Sequence, residues 1–280
     1  MGTVVKQYSS EYFDAKSTLE CGQVFRFSPY KKGYLVISQN KACYLYTENE
    51  TTILECDVLD LEYFEKYFDI STDYSLIVKS LLQKEVGILT ESVNEGKGIR
   101  ILKQNLQEVI ISFIISQNNN ITKIKNSIEY VSKKLGEVIE TPFGKINAFP
   151  TAESIIKGGV ELLKEAKLGY RAEYVYGVAQ QIENGLIESL INSKTQKEAL
   201  LNIKGVGEKV ANCILLFGLQ NFNSFPVDTW LIKVCKEDFK KDYKSAKSIT
   251  KYFEAEFKGL SGYAQQYLFY NKRSKSKKRS

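Results

Sequence analysis

Lys209 and Asp228 are the two side chains whose surroundings best suit them to covalent chemistry. Lys209 follows the turn Gly205-Val206-Gly207 and opens the apolar run Val210-Ala211-Asn212-Cys213-Ile214-Leu215. A lysine there stands in the first turn of a helix. The positive helix end and partial burial both disfavour an ammonium, and the neutral amine is the nucleophilic form. Asp228 sits in Phe225-Pro226-Val227-Asp228-Thr229-Trp230, where it reads as the N-cap of a helix running to about Asp238. A carboxylate fixed by such a cap can steady positive charge developing near an amine. The plainer readings are a solvated or phosphate-contacting lysine and a purely structural cap.

The elements that must position these two groups are a helix, a glycine hairpin and a second helix. Thr195 and Glu198 have the spacing of a capping box that starts the first helix. That helix ends at Ile203-Lys204-Gly205-Val206-Gly207, and the next begins near Glu208. Gly205 and Gly207 permit close approach of the main chain. The free N–H groups at the second helix, including that of Val210, can hold a phosphate. Such a turn grips a nucleic-acid backbone without reading its sequence, although a plain turn in a helical core would look the same.

The remaining composition removes whole classes of chemistry. The 280 residues contain no histidine, which excludes imidazole bases, Ser-His-Asp triads and histidine metal sites. The five cysteines (Cys21, Cys43, Cys56, Cys213, Cys235) are odd in number and widely spaced, which fits reduced thiols and an intracellular location, not a disulfide framework or a metal cluster. No apolar leader follows Met1, and the most apolar run, Val109 to Ile115, is too short to cross a bilayer, so neither secretion nor membrane insertion is expected. Of the net charge of +6, six positive charges lie in residues 272–280 with no acid among them. That segment reads as a basic, disordered tail or a salt-screened phosphate contact, and the remaining body is formally neutral.

Hydrophobic periodicity divides the rest into an α+β arrangement. Val24 to Phe27, Tyr34 to Ile37, Ala42 to Tyr46 and Thr51 to Leu54 are short β-branched and aromatic runs, separated by turns at Ser28 to Gly33 and Gln39-Asn40. They predict an N-terminal antiparallel β-rich domain over residues 1–95. From Leu61 the pattern becomes helical, and Asn94 to Gly98 marks the junction with an all-helical part over 96–271. Leu102, Leu106, Val109, Ile110, Phe113 and Ile114 give one broad buried helical face that stops at Gln117 to Asn120. Further helices are expected over 122–135, after the N-cap Thr151, and over 172–183.

With these elements in place, Leu201 to Asp228 resembles the helix–hairpin–helix DNA glycosylases, in which a lysine in the second helix marks the bifunctional glycosylase/lyases. Three further segments narrow the resemblance to the 8-oxoguanine DNA glycosylases. Cys21-Gly22-Gln23-Val24-Phe25-Arg26 resembles that family's N-terminal glycine segment, Ser116-Gln117-Asn118-Asn119-Asn120-Ile121 its strand-inserting motif, and Tyr263 to Phe269 its pocket helix. With Leu168-Gly169-Tyr170-Arg171-Ala172, the likeness covers about residues 20–270 in consistent order.

The resemblance implies roles residue by residue. Lys209 is the nucleophile that forms a Schiff base, and Asp228 its carboxylate partner. Gly22 offers its carbonyl to the N7–H of 8-oxoguanine, Gln265 meets the Watson–Crick edge, and Cys213 and Phe269 sandwich the base. Asn118 fills the vacated stack, Tyr170 wedges beside it, and Arg171 contributes to contact with the opposite cytosine. Gly205, Gly207 and Val210 form the phosphate-binding hairpin. Three positions depart from the family pattern. Lys123 replaces an arginine that reads the opposite cytosine, Phe217 replaces a methionine of the pocket wall, and Trp230 replaces a phosphate-contacting histidine. The implied partner is double-stranded DNA containing 8-oxoguanine, bound by a monomer with no cofactor and no metal. A glycosylase for another lesion, or a helix–hairpin–helix module that only binds DNA, stays open on the residues alone.

Overall fold

The computed structural model describes residues 2–279, with side chains through 276. Five antiparallel strands form the N-terminal sheet: β1 (Thr3–Ser9), β2 (Phe27–Tyr30), β3 (Gly33–Ser38), β4 (Lys41–Glu48) and β5 (Thr51–Asp57), in the order β1-β5-β4-β3-β2. Two-residue turns join β2 to β5 in sequence. At Asn49-Glu50 both turn residues have positive φ (49° and 61°), the backbone that suits a tight hairpin between twisted strands. Helices α1 (Ala15–Glu20) and α2 (Leu61–Tyr67) cover one face, where Leu19, Phe64 and Tyr67 share a core with Val36, Leu45 and Leu54.

The sheet differs locally from the expectation. Pairing begins at Phe27, and residues 28–30, expected as a turn, belong to β2. Val24 and Phe25 stay outside the ladder, and Arg26 touches it only through its carbonyl, which accepts from Ile37 N–H at 2.9 Å. β1 was not anticipated; it is an edge strand with mostly exposed side chains and therefore a weak apolar signature.

The helical part comprises α3 (Tyr74–Leu82), α4 (Gly87–Glu95), α5 (Leu106–Ile115), α6 (Ile121–Leu135), α7 (Ala152–Glu165), α8 (Arg171–Glu183) and α9 (Leu186–Asn192). It continues with α10 (Gln196–Leu201), α11 (Glu208–Phe217), α12 (Thr229–Lys233), α13 (Ala246–Phe257) and α14 (Ser261–Arg279). A short hairpin, β6 (Val138–Thr141) and β7 (Gly144–Asn147), interrupts it. α5 is the central rod: Val109, Ile110, Ile111, Ile114 and Ile115 are all buried, and α8 and α11 pack on it. Tyr74, Val78, Leu89 and Val93 enter this helical core and not the core beneath the sheet, so by packing α3 and α4 go with the helices.

Two expectations are corrected. Thr195 precedes α10, but its side chain makes no cap hydrogen bond; its own N–H is drawn to Ser193 Oγ at 3.1 Å instead. The segment from residue 272, expected as a disordered tail, is helical over its described residues and tied to the fold as far as Lys275. α14 continues to Arg279, because Lys272 pairs with Asp238 at 2.7 Å, Arg273 donates to the Glu20 carbonyl at 2.9 Å and Lys275 pairs with Glu91. Ser280 lies outside the described residues. Among those described, no helix is long and apolar enough to cross a membrane.

Candidate active site

α11 starts bare. Gly207 occupies its N-cap position with no side-chain cap, so the N–H groups of the first turn face outward from the hairpin. Gly205 has φ 88°, and a Cβ there would stand 2.5 Å from the Tyr174 ring, so only glycine closes this turn against α8. At Gly207 a Cβ would meet nothing within 4 Å, which leaves the outer side of the hairpin open. Val210 turns its side chain into the core.

Lys209 lies in the first turn of this helix, half-buried, with its Nζ 5.2 Å from the centroid of the Phe113 ring. That ring stacks on Phe217 at 5.5 Å and 15°, so the long side chain lies against a rigid aromatic floor. Asp228 faces the same cleft. Its Oδ1 accepts from the N–H groups of Trp230 (2.9 Å) and Leu231 (3.0 Å), which caps α12 and leaves Oδ2 outside the cap. Burial pushes the Asp228 carboxyl above the usual carboxylate range, opposed by the Leu231 and Trp230 N–H groups and by the charge of Lys209. Burial also pushes the Cys213 thiol up to about 11, partly offset by Lys209. Cys213 is thus a neutral, soft surface at neutral pH.

The opposite wall comes from the two ends of the chain. Gly22 follows α1 with φ 85°, and a Cβ on it would lie 3.0 Å from Phe269 Cε1. The Phe269 ring therefore rests directly on bare backbone. Gln23, fully buried, holds this segment in place: its Nε2 donates to the carbonyls of Thr18 (2.9 Å) and Arg100 (2.7 Å), and its Oε1 accepts from Leu102 N–H (2.9 Å). Gln265 and Gln266, one turn before Phe269 on α14, complete the wall. The cleft so enclosed is about 50 Å³. It has room for a few waters, at roughly 10–15 Å³ each, and none for a purine. Entry of a base must widen it.

An open groove of about 630 Å³ leads from this cleft past Lys209 and Asp228 to the Asn118 turn. Asn118 has φ 44° and lies beyond the end of α5, whose C-cap is Ser116. Arg171 fixes the turn: its Nε donates to the Gln117 carbonyl (2.7 Å), its Nη2 to that of Asn118 (2.9 Å) and its Nη1 to that of Leu168 (3.1 Å). The guanidinium expected at an opposite base is thus largely engaged with backbone. Tyr170 stands beside it, 54% exposed, an unusual exposure for a large aromatic ring and one that leaves it available to a partner. Lys123, exposed on the first turn of α6, shares a hollow of about 660 Å³ with Asn118 and Arg171.

The expected site residues thus fall into three groups. Gly22, Lys209, Cys213, Phe217, Asp228, Gln265 and Phe269 line the small cleft. Asn118, Lys123 and Arg171 surround the adjoining hollow, with Tyr170 next to Arg171. The hairpin glycines lie just before Lys209. Sequence reasoning missed Phe113, Gln23, Gln266 and Arg273. Only Gln23 gave a signal, as a polar residue inside an otherwise apolar and aromatic segment.

Comparison with known proteins agrees with this geometry. Residues 111–261 match the HhH-GPD superfamily of base excision DNA repair proteins, and residues 5–110 match the 8-oxoguanine DNA glycosylase N-terminal domain. The chain is 32% identical to the Clostridium acetobutylicum 8-oxoguanine glycosylase/lyase, solved in complex with double-stranded DNA containing cytosine opposite the lesion. The TM-score is 0.89, with 98% of each chain covered. It is also 35% identical over 159 residues to the N-glycosylase/DNA lyase of Saccharomyces cerevisiae, covering 51% of this chain and 42% of that one. With its counterpart in Arabidopsis thaliana it shares 30% identity over 191 residues, 62% of this chain and 52% of that one. The aligned region spans about half the length of these two curated relatives. The fold and site define a helix–hairpin–helix base-excision repair protein. Within that superfamily, the chain belongs to the 8-oxoguanine DNA glycosylase/lyases, enzymes that join N-glycosylase to DNA lyase activity.

Proposed function

We propose that this protein extrudes 8-oxoguanine from duplex DNA, excises it through a covalent lysine intermediate and nicks the strand 3′ to the lesion. The observation that carries this reading is the placing of Lys209 and Asp228 at the mouth of a cleft walled by Gly22, Cys213, Gln265 and Phe269. An enzyme that acts on a base takes it out of the stack. The widened cleft would hold the ring between the Cys213 sulfur and the Phe269 face. The Gly22 carbonyl accepts from N7–H, a donor that guanine lacks, and Gln265 meets the Watson–Crick edge.

Once its ammonium has given up a proton, the Lys209 Nζ attacks C1′, the C1′–N9 bond breaks and the base departs, taking up a proton. The uncapped oxygen of Asp228 steadies the positive charge that grows on the sugar. Opening of the sugar ring gives a Schiff base between C1′ and Nζ. Loss of a C2′ proton then expels the 3′ phosphate by β-elimination. The bare start of α11 grips backbone phosphate, while Asn118 fills the gap left in the stack. Each of these groups comes from one chain, so a monomer suffices.

Incubation with an 8-oxoguanine duplex in borohydride tests the reading. The native protein should become cross-linked to DNA. Lys209→Gln should lose base release, strand cleavage and cross-linking while binding duplex nearly normally, because the phosphate grip is mainly hairpin backbone. Full cleavage by that variant would remove Lys209 from the mechanism. A native protein that binds damaged duplex without trapping or excision would leave only a DNA-binding module.

A further inference from the structure

We propose that Gln266 reads the extruded base together with Gln265, the two amides acting as one donor–acceptor pair. This rests on the assignment of the cleft to an 8-oxoguanine base. Both side chains line that cleft and both are buried, at 5% and 3% exposure. Gln266 Nε2 donates to Gln265 Oε1 at 2.8 Å. Gln266 Oε1 is buried with no hydrogen-bond partner among the described residues.

An amide carries a two-hydrogen donor and an acceptor. When one amide donates to the other, the acceptor of the first and the NH2 of the second are left over. Exchanging oxygen and nitrogen in both groups reverses the order but still leaves one donor and one acceptor. The edge of 8-oxoguanine carries the matching set side by side, O6 as acceptor and N1–H as donor. A buried acceptor without a partner is costly, and a base donor would relieve that cost only in the complex. The coupling also locks Gln265, since turning its amide would break the 2.8 Å bond to Gln266.

On this reading the pair acts on the base edge and not on the sugar, so its contribution is confined to steps in which the base is present. The test is single-turnover excision of 8-oxoguanine, beside borohydride trapping on a duplex with a ready-made abasic site. Gln266→Met keeps length and shape without either polar atom. It should slow excision by about tenfold or more, the scale of one well-placed buried hydrogen bond. Trapping at the abasic site should stay within about twofold, and Tm within about 3 °C, the shift expected of roughly 1 kcal/mol in a chain of this size. Gln266→Glu keeps the shape and, assayed at a pH alkaline enough to ionise a buried carboxyl, presents only acceptors and cannot donate to Gln265; it should then show the same selective loss even if the methionine variant folds poorly. Excision within about twofold of native for both variants would overturn the inference. So would an equal fall at the abasic site, which would mark Gln266 as a purely structural residue. A native protein that traps on abasic DNA but leaves 8-oxoguanine untouched would instead remove the lesion assignment, and this inference with it.

Discussion

Arg171 Nη2 donates to the carbonyl oxygen of Asn118 at 2.9 Å, so a buried cation on α8 holds the turn at the far end of the groove from the cleft. Two more donors of the same guanidinium reach Gln117 and Leu168. Arg171→Ala leaves three carbonyls without this partner. We expect a stability loss of about 1–3 kcal/mol and slower excision of 8-oxoguanine, with Arg171→Lys a poor rescue because one ammonium cannot span the three oxygens. Thermal melting and single-turnover rates check this. A lysine variant equal to native in both would show that the fork is dispensable.

Asp228→Asn should separate cap from charge. Asparagine caps a helix as well as aspartate does, so Tm should stay close to native while turnover collapses. Burial raises the pKa of Asp228, so the acid limb of native activity should lie above the ordinary carboxyl range, with turnover lost as pH falls through it. The asparagine variant should lack that limb. Activity within a factor of about three of native, on the order of 0.7 kcal/mol, would make the carboxylate only structural.

On the proposed reading, opposite-base choice turns on Lys123. Lysine is a mobile point charge, whereas arginine presents a fixed fork that can make two hydrogen bonds to one base. Excision opposite cytosine should therefore exceed excision opposite the other three bases only modestly, and Lys123→Arg should sharpen the preference. Measuring all four duplexes with both proteins decides the matter. A native enzyme that rejects adenine by about a hundredfold, roughly 2.7 kcal/mol, would sink the idea, as would an arginine variant with an unchanged profile.

Glu108 offers a pH test of the contact between the sheet and α5. Its carboxylate accepts from Gln39 N–H in the β3–β4 turn, and burial raises its pKa from 4.5 to about 7, against the attraction of Arg26. Between those values the unfolded chain has released a proton that the native protein keeps. Stability should therefore fall as pH rises through this window and level off above about 7. Glu108→Gln should melt near native at pH ~5 and above it at pH ~8, since the amide never pays for ionisation. Parallel melting curves across that range would contradict the assignment.

Much of the site was legible because its chemistry is local in sequence. Gly205-Val206-Gly207, Lys209 and Asp228 lie within one hairpin and its following loop, and Asp228 caps α12 as its spacing predicts. Gly22 and Phe269 could be connected only through the family resemblance, since nothing local pairs positions so distant. Three features were not legible. The basic stretch from Lys272 reads as disordered until Asp238, Glu20 and Glu91 neutralise or bond it from other elements. The Thr195-x-x-Glu198 pattern failed because Ser193 competes for the backbone at that turn. The orphaned oxygen of Gln266 is a property of packing, invisible without the neighbours that shield it.

The bond from Arg273 to the Glu20 carbonyl joins positions 253 residues apart, and the Gly22–Phe269 contact lies beside it. During synthesis, the N-terminal wall of the cleft waits for a partner made 253 residues later. Lys209 and Asp228 lie only 19 residues apart, whereas on the proposed reading the base-recognising wall needs both ends of that 253-residue span. Closing so long a loop is slow relative to forming local helices. On the proposed reading, selectivity thus depends on a long-range closure that the reactive pair does not need, and fraying of α14 would remove it first.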